Sequence, residues 1–202
     1  MDRIMYDSDQ PDAIPPGAPI AATYADLVPT LTELTRLRSR WTGRPLILID
    51  RGLGDPTGQS SVIDIETGAF SAAGIPAWWD HQNAAGIPWL TVYCTRDSAA
   101  SAAAAIGDRL AWLWVATLDG TAHVTVPPGG RLAGIQAISA AMLGCHADLS
   151  IITDPAWQPA AAVDRLRANL ADVHAIAGQL TRAAEQLDTV YHHLEFRAGE
   201  VA

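Results

Sequence analysis

Short runs of apolar residues recur along most of the chain and are separated by polar segments that contain Gly or Pro. This pattern is typical of β-strands. Leu46–Ile49 is apolar at every position, as expected for a strand buried on both faces of a parallel sheet that helices cover. The predicted strands are Arg3–Asp7, Ile20–Asp26, Pro45–Asp50, Ser61–Glu66, Pro88–Cys94, Leu110–Leu118, Leu132–Ile138 and Ala147–Ile152.

Three segments between these runs have the spacing or the composition of helices: Pro29–Trp41, Ser71–Ala85 and Ser98–Gly107. Ser71 is a candidate N-cap, and Gly107 is a candidate C-cap. Later connections are too short for good helices, and Gly120–Gly130 is predicted to be a loop or a hairpin. Eight strands with helices mainly in the first half predict an α/β fold, an irregular (β/α) TIM-like barrel.

The pattern changes after a proline-containing break at 154–159, and residues 160–197 contain no further proline. Apolar positions then alternate at spacings of three and four, as in a coiled coil, and Pro159 suits the first turn of a helix. We therefore expect a barrel over 1–157 and a long C-terminal helix within 158–202 that mediates self-association. The alternative is a helix that packs on its own barrel. The seam consists of Val163, Leu166, Leu170, Val173, Ala177, Leu180, Ala184, Leu187, Tyr191 and Leu194.

Charge and composition exclude several classes of partner. The net charge is −9 and the arginines are not clustered, so neither nucleic acid nor an anionic membrane is an expected partner. No run is long enough to span a membrane, and the N-terminus does not resemble a signal peptide, so we expect synthesis in the cytoplasm. Cys94 and Cys145 are expected to be buried thiols, and the histidines lack metal-ligand spacing, so no metal or cofactor is predicted.

Carboxylates lie at or near several predicted strand ends, where barrel enzymes build their sites. Asp64 and Glu66 are two residues apart on one strand and therefore point to the same face. Neighbouring carboxylates resist ionising together, and glycoside cleavage needs a protonated carboxyl group beside an ionised one. By itself the pair also fits a solvated strand end. The carboxylates at these positions are Asp7, Asp26, Asp50, Asp64, Glu66 and Asp148.

The order of these pieces resembles the family-25 glycoside hydrolases, which are lysozyme-like barrels, and in particular a divergent branch found in actinobacteria and their phages. The resemblance covers roughly residues 3–157. The matching pieces are Tyr6-Asp7-Ser8, Ala22–Asp26, Val62–Gly68, Trp79, Ala85–Pro88, Thr91–Tyr93, Trp114–Ala116, Asp119-Gly120, Gln136, Ala147–Ser150 and Trp157.

This resemblance implies a muramidase that cuts the glycan strands of peptidoglycan. Glu66 would be the general acid, and Asp64 would hold the substrate's N-acetyl group in a substrate-assisted reaction. Asp7 and Asp148 would line the pocket and tune Glu66. Sugar binding would fall to Tyr93, Trp114, Gln136 and Asp50.

Two questions stay open at this point. Arg51 follows the third predicted strand and has no counterpart in the family pattern; an ion pair with Glu66 would depress the pKa of that carboxyl group. The alternative function is a non-catalytic structural or wall-binding protein of a phage virion that reuses the barrel and oligomerises through its C-terminal helix. The virion and the cell wall are therefore both candidate destinations.

Overall fold

A computed structural model describes residues 3–52, 54–66, 70–121, 123–128, 130–143 and 146–157. Within these ranges, eight strands form a closed barrel in which each strand pairs with its neighbours in sequence. The ring closes because the last strand also pairs with the first. The strands are β1 (Arg3–Ser8), β2 (Ile20–Tyr24), β3 (Leu46–Asp50), β4 (Val62–Asp64), β5 (Thr91–Thr95), β6 (Trp112–Ala116), β7 (Leu132–Ile138) and β8 (Asp148–Ile152). The predicted α/β barrel is confirmed.

The direction of β8 differs from the prediction of a parallel barrel. Strands β1 to β7 are parallel, whereas β8 runs antiparallel to both β7 and β1. The segment between β7 and β8 is too short for the crossover that a parallel neighbour requires. The start of β8 therefore lies at the same end of the barrel as the C-terminal ends of the other strands, and Asp148 pairs in register with Asp7. We call this end the mouth.

The helices match the predicted segments with shorter bounds: α1 (Leu31–Arg40), α2 (Ile75–Ala84) and α3 (Ala99–Ile106), with a single turn, α4 (Ala140–Leu143), before β8. The side chain of Thr30 caps α1 by accepting a hydrogen bond from the backbone N of Glu33. Ser71 precedes a 3-10 turn and makes no side-chain cap there, so α2 begins later than predicted.

Alternation along the strands divides the core into a lumen and an outer layer. On β6, Trp112 and Trp114 pack inside the barrel, whereas Leu113 and Val115 pack outward in the layer that includes α2 and α3. A separate outer cluster packs under α1 through Leu34 and Leu37. Large side chains therefore fill the lumen of the barrel.

The remaining sequence predictions concern membrane spans, the C-terminal segment and the two cysteines. No helix in the described ranges is long and apolar enough to cross a membrane. The predicted helix over 159–197 and Cys145 lie outside the described residues, so the C-terminal coiled coil stays a prediction. Cys94 is buried, as expected, on the outer side of β5.

Candidate active site

Four carboxyl groups meet at the mouth, and we call them the acid cluster: Asp7, Asp64, Glu66 and Asp148. Asp7 and Asp148 face one another across the β1–β8 pair. Asp64 ends β4, and its backbone pairs with that of Tyr93 on β5. The charges of Asp148, Glu66 and Asp64 all act on Asp7. The structure thus brings together the four residues that the resemblance implied to be catalytic.

Asp64 and Glu66 are held by the turn that follows β4. The carboxylate of Asp64 accepts a hydrogen bond of 2.7 Å from the backbone N of Glu66. The backbone N of Ile65 donates to the carbonyl oxygen of Tyr93 at 3.1 Å, which fixes the chain between them. Glu66 is half-buried, and its Oε1 has no hydrogen-bond partner among the described residues. The backbone on both sides of this carboxyl group is therefore held in place, and its buried Oε1 can carry a proton without losing a hydrogen bond.

The environment of the acid cluster favours its protonated forms. Burial, followed by the charge of Asp64, raises the pKa of Glu66 to about 7, although the nearby hydroxyl of Tyr93 acts in the opposite direction. Burial, followed by the charge of Asp148, raises the pKa of Asp7 well above its ordinary value. Burial also raises the pKa of Asp148. At neutral pH the pocket consequently holds at least one carboxyl group able to donate a proton.

Tyr93, Trp114 and Gln136 are buried side chains next to the acid cluster. Trp114 is 0% exposed and Gln136 is 2% exposed. The hydroxyl of Tyr93 donates to Oε1 of Gln136, and the indole N–H of Trp114 donates to Ser150 at 3.0 Å. Burial raises the pKa of Asp148, and hydrogen bonds from the backbone of Ala140 and from Gln136 oppose part of that rise. These three side chains are thus packed against the acid cluster and one another, and their role in sugar binding stays a prediction.

Asp50 does not belong to the acid cluster. It pairs with Ile63, which packs in the outer layer, whereas its neighbour Ile49 packs in the lumen. Its carboxylate accepts a hydrogen bond from the backbone N of Gly52 at 2.9 Å. Strand alternation turns its side chain away from the lumen, and its predicted contact with substrate stays a prediction.

Arg51 does not form the ion pair with Glu66 that the sequence left open. Its guanidinium pairs with Asp26, at 2.7 Å, and lies 4.5 Å from the ring centroid of Tyr24. Tyr24 is a mouth residue that the sequence analysis did not single out. Strand alternation could have found it, because it shares a face with the lumen residues Ile20 and Ala22.

The comparisons with known proteins bear on the fold. The chain is similar to the solved structure of a muramidase from Acremonium alcalophilum, with 14% sequence identity and a TM-score of 0.50. The match covers 80% of this chain and 98% of the muramidase chain. No family model and no curated protein matches the sequence. The chain therefore has a lysozyme-like barrel fold.

Proposed function

We propose that this protein is a muramidase-type glycoside hydrolase that cleaves the glycan strands of peptidoglycan, with Glu66 as its general acid. The observation that carries the proposal is the carboxyl group of Glu66, whose pKa is raised to about 7 by burial and by Asp64 at the mouth of the barrel. An acid with a pKa near the working pH combines a large protonated fraction with a ready proton transfer. The fold shared with a solved muramidase supports the same substrate class.

The reaction follows from the roles of the two linked residues. Glu66 donates its proton to the glycosidic oxygen as the bond from that oxygen to the sugar C1 breaks. Asp64 holds the N–H of the substrate's N-acetyl group, whose carbonyl oxygen attacks C1 and closes a ring. Glu66, now ionised, then takes a proton from the water that opens this ring. Both residues thus return to their starting states.

Asp7 and Asp148 act on this reaction through charge. The charges of Asp64 and Asp148 both favour the protonated form of Glu66. Asp7 and Asp64 are both almost completely buried, at 4% and 1% exposure, so burial alone does not choose between them. We infer that Asp148, together with Asp64, holds the proton on Glu66 until substrate arrives, and that Asp7 is coupled by charge to the same carboxyl group. We further infer that Asp64, two residues before Glu66, is the carboxylate that contacts the N-acetyl group.

The test is the clearing of turbidity from a suspension of purified cell walls. Glu66→Gln keeps the shape of the side chain but cannot donate a proton, so the clearing rate should fall by about 10²–10⁴-fold while binding to the walls survives. Asp64→Asn should also reduce the rate strongly. Glu33→Gln is the matched control, since it makes the same chemical change on α1 and should clear walls at the wild-type rate.

The outcomes separate catalysis from binding. Equal clearing by wild type and Glu66→Gln would remove Glu66 from the mechanism and point to a contaminating lysozyme. Walls that sediment with the wild-type protein but are never cleared would favour the wall-binding alternative, in which the barrel is reused without catalysis.

A further inference from the structure

Arg51 is held at the mouth by a pair of nearly parallel hydrogen bonds. Its Nε lies 3.0 Å from Oδ1 of Asp26, and its Nη2 lies 2.7 Å from Oδ2. The two side chains are only 23% and 17% exposed. A bidentate pair of this kind fixes the plane of the guanidinium as well as its distance, which a single contact would not do. Asp26 lies in the 3-10 turn Ala25–Leu27 that follows β2, so the pair ties the end of β2 to the end of β3.

Tyr24 is a neighbour of both this cation and the acid cluster. The guanidinium carbon of Arg51 lies 4.5 Å from the centroid of the Tyr24 ring, within the range of a cation–π contact. Burial is the largest cause that raises the pKa of the Tyr24 hydroxyl, and the charges of Asp64 and Asp7 raise it further. The charge of Arg51 lowers it. Tyr24 thus interacts with the guanidinium of Arg51 and also with carboxylates of the acid cluster.

An unpaired arginine at this position would conflict with general acid catalysis. A positive charge within about 4–6 Å of a carboxyl group lowers its pKa by about 1–3 units. Such a shift would leave Glu66 largely ionised at neutral pH. In the structure, Asp26 neutralises Arg51, and no positive charge is among the causes that set the pKa of Glu66. The acidic mouth therefore contains an arginine whose charge is already paired.

We propose that Asp26 is a positioning residue that, together with the ring of Tyr24, holds Arg51 away from Glu66 and so preserves the proton that Glu66 donates. This inference rests on the proposed role of Glu66. The groups whose charges interact with Glu66 are Asp7, Asp64, Asp148, Tyr24, Tyr93 and Cys94. Arg51 also experiences the charge of Asp9, which is a weaker competitor than Asp26.

The deciding measurement is an NMR titration of the side-chain carboxyl carbon of Glu66 in the full chain, with the signal assigned by its loss in Glu66→Gln. Asp26→Asn should lower the pKa of Glu66 by about one unit, because the released guanidinium turns to the remaining carboxylates. The double variant Asp26→Asn/Arg51→Gln should return the pKa to the wild-type value. A purely structural role of Asp26 would not be rescued by removing a second side chain.

Asp119→Asn is the matched control, because it breaks a second arginine–aspartate pair, with Arg96 at 2.9 Å, on loops that follow β5 and β6. It should leave the pKa of Glu66 unchanged. If Asp26→Asn does not fold, Asp26→Ser releases Arg51 with a smaller side chain. A wild-type pKa in the single variant, or a lowered pKa in the double variant, would overturn the inference.

The same variants distinguish this inference from the proposed function. In an active protein, the alkaline limb of wall clearing should move by the same amount as the titration, which is up to a tenfold loss of rate per unit above the new pKa. A wild-type protein that clears no walls at any pH would refute the proposed function, while the titration would still decide whether Asp26 restrains Arg51.

Discussion

The raised pKa of Glu66, which suits a general acid, also affects the stability of the folded protein. Its pKa is raised from 4.5 to about 7 in the folded protein. Because the folded state binds the proton more tightly, the stabilisation is complete below pH 4.5 and is lost as the pH rises through about 7. The folded state should therefore be penalised above neutral pH, and removing the ionisable group should relieve that penalty.

Glu66→Gln should make the protein more stable than wild type at pH 8 and equally stable at pH 4. We expect a gain of about 1–2 kcal/mol at pH 8, which allows for solvent screening around a half-buried carboxyl group. Urea unfolding at the two pH values measures the difference. An identical difference at both values would show that the effect is one of packing and not of ionisation.

For single residues, the alternation of side chains along a strand predicted part of the candidate site but not all of it. Strand alternation singled out Asp64 and Glu66 as a pair, but β4 ends at Asp64, and the turn after it places Glu66 next to Asp64. It could not identify the partner of Arg51, because Asp26 lies 25 positions away and only the barrel brings them together. Alternation would also have turned Asp50 outward, had it been applied from the lumen residue Ile49.

Among the elements, the β7–β8 pair contains a glycine at a close approach of its two strands. A Cβ atom added to Gly134 on β7 would lie 2.8 Å from Cδ1 of Ile152 and 2.9 Å from the backbone oxygen of Ile151 on β8. The side chain of Ile152 could rotate away from the added Cβ atom. The backbone oxygen of Ile151 could move only if the pairing of β7 with β8 were disturbed. Glycine at this position is thus explained by the close approach of the two strands.

Gly134→Ala should consequently destabilise the barrel by about 1–3 kcal/mol, the usual cost of overpacking. Gly17→Ala is the control, because an added Cβ there meets nothing within 4 Å, and we expect a change within about 0.5 kcal/mol. Thermal or urea unfolding of the two variants tests this directly. Equal stability of both would mean that β7 and β8 separate at little cost.

The apolar runs predicted where elements lie better than how they are oriented. Leu132–Ile138 is a strand with the predicted bounds, whereas the predicted strand Ile20–Asp26 ends at Tyr24, where a 3-10 turn begins. The residues of β8 do not themselves indicate that the strand is antiparallel. Strand direction depends on the length and path of the connection before it, which periodicity does not report.

At the scale of the whole molecule, we propose that residues 159–197 drive self-association through their apolar seam. The double change Leu170→Asp with Leu187→Asp should dissociate the oligomer without unfolding the barrel, because each buried leucine contributes about 1.5–3 kcal/mol. Light scattering measures the change in mass. Leu31→Asp with Leu110→Asp is the control, since both leucines are exposed and should leave the mass unaltered. A monomeric wild-type protein would contradict the proposal.

The antiparallel closing strand also determines when the molecule can acquire its acid pocket. Arg3 donates a hydrogen bond to the carbonyl oxygen of Asp154, 151 positions further along the chain. Contacts between such distant residues form slowly, because the intervening chain must first be ordered. During synthesis, Asp7 emerges long before Asp148, its partner across the β1–β8 pair. A nascent chain therefore has no assembled acid cluster, and the site and the closed ring should appear in the same folding event.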